Sequence, residues 1–489
     1  VLGWRLARSA GGDGVRTVGD LGDDDRADRD GERGEDRDED DLRRDFAAFV
    51  AQACVHAVSG EGPGNDGVRG DAGKKNNTPT VGNRVDILGT ERDTEVDPAL
   101  ANVAVILPPP VVNDAWAQPG GNASKSPGHV ELGQGLSRIW SASVTGANPR
   151  ARLAASPVVS DSRVYVVDTT ARVTAFDANN GAQVWSNALE IDDDGKPSRF
   201  GGGVSATSTT VFATNGVGDV AALAADTGAL SWKKRPAGPL RGAPTLSNGN
   251  VYVMTQDNQI YALRQTDGEA QWNEAGPVAA SGIFGVGAPA AAQGTVIAGY
   301  SSGELAAYRY ENGRSLWTDT LSRTAMSTSV STLTDIDADP VIDRGRVFAL
   351  GKGGRMASYE LVTGQRIWEI NIAGISTPVA AGEWVFVMTD EARLLCVARS
   401  SGKIRWISKL QRYDNEEKKK GPVSWYGPVL AGGRLIVASS QGNIWSISPA
   451  DGTASEVFDL KSPVSLAPIV ANNTLYILDD SGRISAFRG

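Results

Sequence analysis

Few residues in this 489-residue chain are spaced for chemistry. The two histidines, His56 and His129, lie outside the repeating part of the sequence, which argues against a His-based zinc site. The two cysteines, Cys54 and Cys396, form no disulfide framework, and they do not identify a compartment. Cys396, within Leu394-Leu395-Cys396-Val397, reads as a small apolar side chain of a buried strand. No Ser-His-Asp set, phosphate-cradling loop or specific paired-carboxylate motif is present, so the chain reads as non-enzymatic, with no cofactor and no metal. Two pairs of residues in connecting segments remain: the apolar Leu240 with the charged Arg241, and Asp335 with Asp337. Taken by residue type, the aspartates are turn formers ahead of Pro340 and Arg241 is a solvated charge; contact with a partner is the alternative.

The elements that position these residues are repeats. The stretch from Pro244 to Trp272 holds four short apolar runs separated by the turns Ser247-Asn248-Gly249-Asn250, Gln256–Gln259 and Asp267-Gly268. It reads as four antiparallel strands. A Gly four residues before a Trp recurs at Gly181/Trp185, Gly228/Trp232, Gly268/Trp272, Gly313/Trp317, Gly364/Trp368 and Gly402/Trp406, at intervals of 38 to 51 residues. A small-residue-Pro pair, such as Ala243-Pro244 or Thr377-Pro378, opens most units, and Val204–Thr207 takes its place in one. Four-stranded repeats of this length are propeller blades.

Eight units begin near Ser156, Val204, Ala243, Ala288, Asp339, Thr377, Gly427 and Ala467. The eighth ends at Gly489 after three strands, and Leu136–Val144, which carries Trp140, supplies its fourth. The fold class is therefore all-β: a closed eight-bladed β-propeller over residues 116–489, with the last blade completed by an N-terminal strand and no open edge.

The preceding residues divide in two. Residues 1–73 hold 18 acidic and 10 basic residues, about −8 of the chain's net −10, and read as a disordered tail that contributes nothing to the fold. The nearly neutral remainder has no basic footprint for nucleic acid. Val1 suggests a fragment or a literally translated valine start codon. No apolar run is long enough for a transmembrane helix. Arg43-Arg44, Phe46–Ala53 and Cys54 resemble a lipoprotein signal, but Asp45 interrupts it. Residues 74–115 read as a tether and lead-in with an added strand at Ala104–Leu107, and Trp116–His129 as a Gly-rich loop feeding the closing strand.

Seven of the twelve tryptophans share one outer-strand position, where a ring packs over Gly and Ala of a neighbouring blade. Trp384 and Trp445 read as core or inter-blade packing. Trp425, beyond Lys418-Lys419-Lys420, reads as the exposed tryptophan and a candidate partner contact.

The segments Ala175–Trp185 and Ala222–Trp232 resemble the tryptophan-docking repeat of pyrroloquinoline quinone (PQQ) dehydrogenases. Those enzymes carry two adjacent cysteines and long insertions, and this chain has neither. Over residues 74–489 the chain resembles more closely the BamB family of the outer-membrane β-barrel assembly machinery, in its alphaproteobacterial form. The resemblance rests on Thr78–Gly82, Val96–Leu100, the loop Trp116–His129, the eight units, and the connectors Leu240–Pro244 and Leu333–Pro340. It implies a scaffold at the periplasmic face of the outer membrane that binds a POTRA domain of BamA through Leu240, Arg241, Asp335 and Asp337, holds unfolded outer-membrane proteins in extended form, and is anchored by lipid. These four residues are expected to lie outside the blade cores. Where the family's lipidated cysteine would stand, this chain has Ala57–Gly73; either the upstream residues arise from a wrong start or reading frame, or the protein is not lipidated. The other readings are a PQQ-dependent dehydrogenase and a propeller with another partner.

Overall fold

The computed structural model describes residues 94–189, 201–277, 285–321 and 335–489. The tail 1–73, its Cys54 and His56, and the motif Thr78–Gly82 lie outside the described residues. Alternation of Val, Ile, Tyr and Ala with turn residues yields eight four-stranded antiparallel sheets arranged as the blades of a propeller. Blade 3 is representative, with strands Thr245–Ser247, Asn250–Met254, Gln259–Arg264 and Ala270–Ala275. Its first turn takes positive φ at both Asn248 (50°) and Gly249 (76°), the conformation that twists a two-residue hairpin correctly.

The first strand of each blade lines the centre of the ring. These strands are Val158–Ser160, Gly202–Ala206, Thr245–Ser247, Ala290–Ala292, Val341–Asp343, Val379–Ala381, Trp425–Ala431 and Ile469–Ala471. In blade 2 Val204 stands at the proline position, and Gly203 before it lies against Ala155 and Ala243, so that a methyl there would fall 2.6 Å from each of their Cβ atoms. Blade 8 is completed by Ser137–Ser143, which pairs with Arg483–Arg488 as the sequence pattern requires.

Neighbouring blades are joined by the repeated tryptophan. Each Nε1–H donates to a carbonyl of the following blade: Trp140 to Ala178, Trp185 to Ala225, Trp232 to Gln265, Trp272 to Tyr310, Trp317 to Leu361, Trp368 to Arg399 and Trp406 to Pro449, at 2.8–2.9 Å. Each ring lies on that blade's glycine, so the Gly and Trp of one motif serve different joints. Blade 7 has Glu456 at the tryptophan position, and its joint to blade 8 is a Phe458–Phe487 stack with centroids 4.4 Å apart.

Two sequence expectations are corrected here. Trp425 is buried: it opens the first strand of blade 7, donates Nε1–H to the Gln411 carbonyl at 2.8 Å and meets Trp445 edge-on. The polar residues before it instead form a separate hairpin, Tyr413–Asn415 with Lys420–Pro422. Ala104–Leu107 is not a strand; it precedes three prolines that offer no N–H for a ladder. The lead-in attaches through a parallel bridge from Val96 to Ile404 and through Arg405 Nε, which donates to the Val103 carbonyl.

The loop between lead-in and closing strand is a collar that runs round one end of the ring. It bonds to seven of the eight blades, through Asn113 to Asn472, Trp116 to Val159, Ala117 to Ala206, Gln118 to Leu246, Ala123 to Ala291, Ser124 to Ile342 and Val130 to Leu430. Blade 6 is covered by the lead-in, where Gly382 lies beneath Ile106 and Pro108. Collar residues Trp116, Val130 and Leu132 belong to the buried core of blades 7, 8 and 1.

Candidate functional site

The connector from one blade to the next leaves the fourth strand and returns on the side of the turn between strands two and three. Leu240 forms a bridge with Thr255 in that turn, and Arg241 N–H donates to the Met254 carbonyl at 2.8 Å. This backbone pairing buries the Leu240 side chain against Phe212, Val220, Val251 and Val253, at the joint of blades 2 and 3. It also turns Arg241 inward, where it is 0 % exposed.

A buried guanidinium requires anionic partners. The connector between blades 4 and 5 supplies them: Arg241 Nη2 donates to Asp335 Oδ1 at 2.8 Å and to the Ile336 carbonyl at 3.3 Å, and lies 3.7 Å from Asp337 Oδ1. Asp337 Oδ1 in turn accepts from Val286 N–H at 2.6 Å and Gly287 N–H at 3.3 Å, adding the connector between blades 3 and 4. A methyl on Gly285 would overlap the guanidinium. Three successive connectors thus converge on one arginine, and all four sequence-selected residues fall within this sector.

Their burial corrects one expectation. Leu240, Arg241 and Asp335 do not stand outside the blade cores; only Asp337, with 17 % of its side chain exposed, reaches the surface. The exposed surface beside them is Gly238 and Pro239. Arg241 Nε and Nη1 and Asp335 Oδ2 are buried without a hydrogen-bond partner. Burial pushes the Asp335 carboxyl up, against the opposing pull of Arg241, and pushes Asp339 up against the field of Lys125.

Lys125 is the buried charge of this region that sequence reasoning missed. It sits in the collar at 1 % exposure, and its ammonium donates to Thr245 Oγ1 at 3.0 Å and the Pro119 carbonyl at 3.1 Å. Its signal was a lone lysine in a Gly-, Pro- and Ser-rich loop. Collar and first strands enclose a cavity of about 200 Å³ whose lining includes Lys125, Asp337 and Asp339. Among the described residues, no group of three or more His, Cys, Asp and Glu side chains is placed to hold a metal ion, and no helix is long and apolar enough to cross a membrane.

Solved structures share this architecture. BamB from Moraxella catarrhalis aligns with a TM-score of 0.59 at 19 % identity, covering 72 % of this chain and all of that one. A quinohemoprotein alcohol dehydrogenase from Comamonas testosteroni aligns with a TM-score of 0.60 at 14 % identity, covering 76 % and 80 %. Both likenesses concern fold alone. Sequence relatives are more specific: "Outer membrane protein assembly factor BamB" of Yersinia pestis is 27 % identical over 356 residues, 72 % of this chain and 88 % of the relative. The Escherichia coli K12 protein of the same name is 27 % identical over 353 residues, 71 % and 87 %. The family profile described as "Outer membrane protein assembly factor BamB" matches residues 133–198 and 169–408, a span that contains the Arg241–Asp335 sector, and the chain belongs to that family.

Proposed function

We propose that this protein is a non-enzymatic scaffold of the outer-membrane β-barrel assembly machinery, associated with the outer membrane on its periplasmic face. It binds a POTRA domain of BamA through the sector built by Leu240, Arg241, Asp335 and Asp337. The observation that carries the reading is the Arg241–Asp335 pair: it fastens two connectors 94 residues apart in sequence into one rim, within the region matched to the family. Leu240 and Arg241 act from behind by holding the connector backbone, while Asp337, Gly238 and Pro239 present the surface.

Binding of purified BamA POTRA domains tests the reading. Asp337→Ala, at the exposed end of the network, weakens binding by about 1–2 kcal/mol, more at low salt than at high. Undiminished binding by this variant and by a folded Leu240→Ala/Arg241→Ala variant would place the interface elsewhere. The rival dehydrogenase class is tested by titration with PQQ and Ca²⁺; stoichiometric binding with dye-linked alcohol oxidation would displace the scaffold reading.

A further inference from the structure

One connector is built as a structure of its own. Between the fourth strand of blade 6, Ile404–Lys409, and the first of blade 7, the chain forms the hairpin Tyr413–Asn415 with Lys420–Pro422, closed by a turn at residues 416–419. A two-stranded hairpin is marginal by itself, and here its base is fastened to blade 7. Trp425 Nε1–H donates to the Gln411 carbonyl and Val423 N–H to the Arg412 carbonyl, both at 2.8 Å. Ser424 N–H donates to Ser440 Oγ at 3.0 Å, Ser440 N–H returns a bond to the Ser424 carbonyl, and the Gln441 amide donates to the Asp414 carboxylate. Ser440 and Gln441 lie in the turn between the second and third strands of blade 7. The hairpin therefore stands on the same rim as Arg241, two connectors further round than the one that carries Asp335.

Charge identifies what it fits. The tip presents Glu416, Glu417, Lys418, Lys419 and Lys420, all exposed. Glu416 is occupied locally: its Oε1 accepts from the N–H groups of Arg412 at 2.7 Å and Tyr413 at 3.1 Å. Among the described residues, the ammonium groups of Lys418, Lys419 and Lys420 have no partner. Three adjacent cations on a fastened stem are ordered before any encounter, which lowers the cost of binding an anionic surface. The two glutamates in the same turn favour protein over lipid as that surface. A uniformly anionic headgroup layer repels them, whereas a folded domain of mixed charge can oppose each sign separately. The tip also carries no apolar side chain to enter a bilayer.

We propose that this hairpin is a second contact arm for the partner held at the Arg241 rim, its three lysines meeting an acidic patch on a folded domain of that partner. The proposal rests on the POTRA reading above and adds the chemistry of a separate contact.

Stopped-flow association of the full chain with purified BamA POTRA domains, at low and high salt, tests it. Lys418→Glu/Lys419→Glu/Lys420→Glu slows association about tenfold at low salt, the corresponding triple change to Gln slows it about threefold, and about 0.5 M salt removes both differences. The three positions are exposed, so the urea midpoints of both variants stay at the wild-type value. Association unchanged by the charge reversal overturns the arm, and the rim reading stands if Asp337→Ala still weakens binding. Slower association with the reversal, together with undiminished binding by Asp337→Ala and Leu240→Ala/Arg241→Ala, upholds the arm and overturns the rim sector. Absence of wild-type binding overturns both. Flotation with vesicles of phosphatidylethanolamine and phosphatidylglycerol completes the test: wild-type flotation that the reversal abolishes, with POTRA association unchanged, assigns the lysines to lipid and overturns the protein contact.

Discussion

The indole of Trp185 lies on Gly228 of the next blade so closely that a Cβ on that glycine would sit 2.5 Å from Cε3. Gly228 also holds φ at +72°, a conformation that an L side chain resists. Gly228→Ala therefore strains the turn and forces the ring outward, destabilising the protein by about 2 kcal/mol or more. Trp185→Phe keeps the ring but loses the bond to Ala225 and costs about 1 kcal/mol. Urea unfolding of the two variants checks the order.

Arg241 is 0 % exposed and its best carboxylate partner only 2 %, so breaking the pair leaves a buried charge. Arg241→Met costs about 3 kcal/mol or more, because Asp335 loses the guanidinium that favours its ionised form. Removing both charges in Arg241→Met/Asp335→Leu costs less than the single change. A double-mutant cycle in urea measures this, and additive losses would show that the pair is not coupled.

Burial lowers Lys125 to about 8 from an ordinary value of 10.5. Between those values the unfolded chain carries the proton and the folded one does not, so stability rises with pH across this window. The advantage of the wild type over Lys125→Met should grow by about 1 kcal/mol per pH unit from pH 8 to 10. Denaturant titrations at pH 8, 9 and 10 provide the test; parallel curves would place the ammonium in solvent.

Gln118 holds both backbone groups of Leu246, accepting from its N–H at 2.8 Å and donating to its carbonyl at 3.2 Å. Gln118→Ala strands a buried N–H and costs about 1–3 kcal/mol. Hydrogen exchange at Leu246 should accelerate with it, while exchange in the third strands of the blades stays slow.

The repeat was legible because its markers are local. A glycine and a tryptophan four residues apart report a turn and an outer strand, even though Trp185 and Gly228 meet across a joint and not within one motif. The incomplete eighth unit required a strand from elsewhere, and Leu136–Val144 was the sequence able to supply it. The Arg241–Asp335 bond was not legible, since connectors carry no periodicity that fixes how deep each one packs. Trp425 was misread for a related reason: the lysines preceding it belong to a hairpin of their own, and the core resumes at the tryptophan itself. The collar was hidden by composition, because it binds mainly through its backbone.

Pairing Ser137–Ser143 with Arg483–Arg488 also sets an order in time. Ser137 donates to the carbonyl of Arg488, 351 positions away. The entropy of bringing such distant segments together grows only slowly with separation, but it must be met before the last blade gains its fourth strand. Until then Arg483–Arg488 presents an unpaired edge, and the first ring strand to be synthesised waits for the last. Folding of this ring is therefore a race between closure and edge-to-edge association, and a chaperone that shields one strand serves it better than one that shields the core.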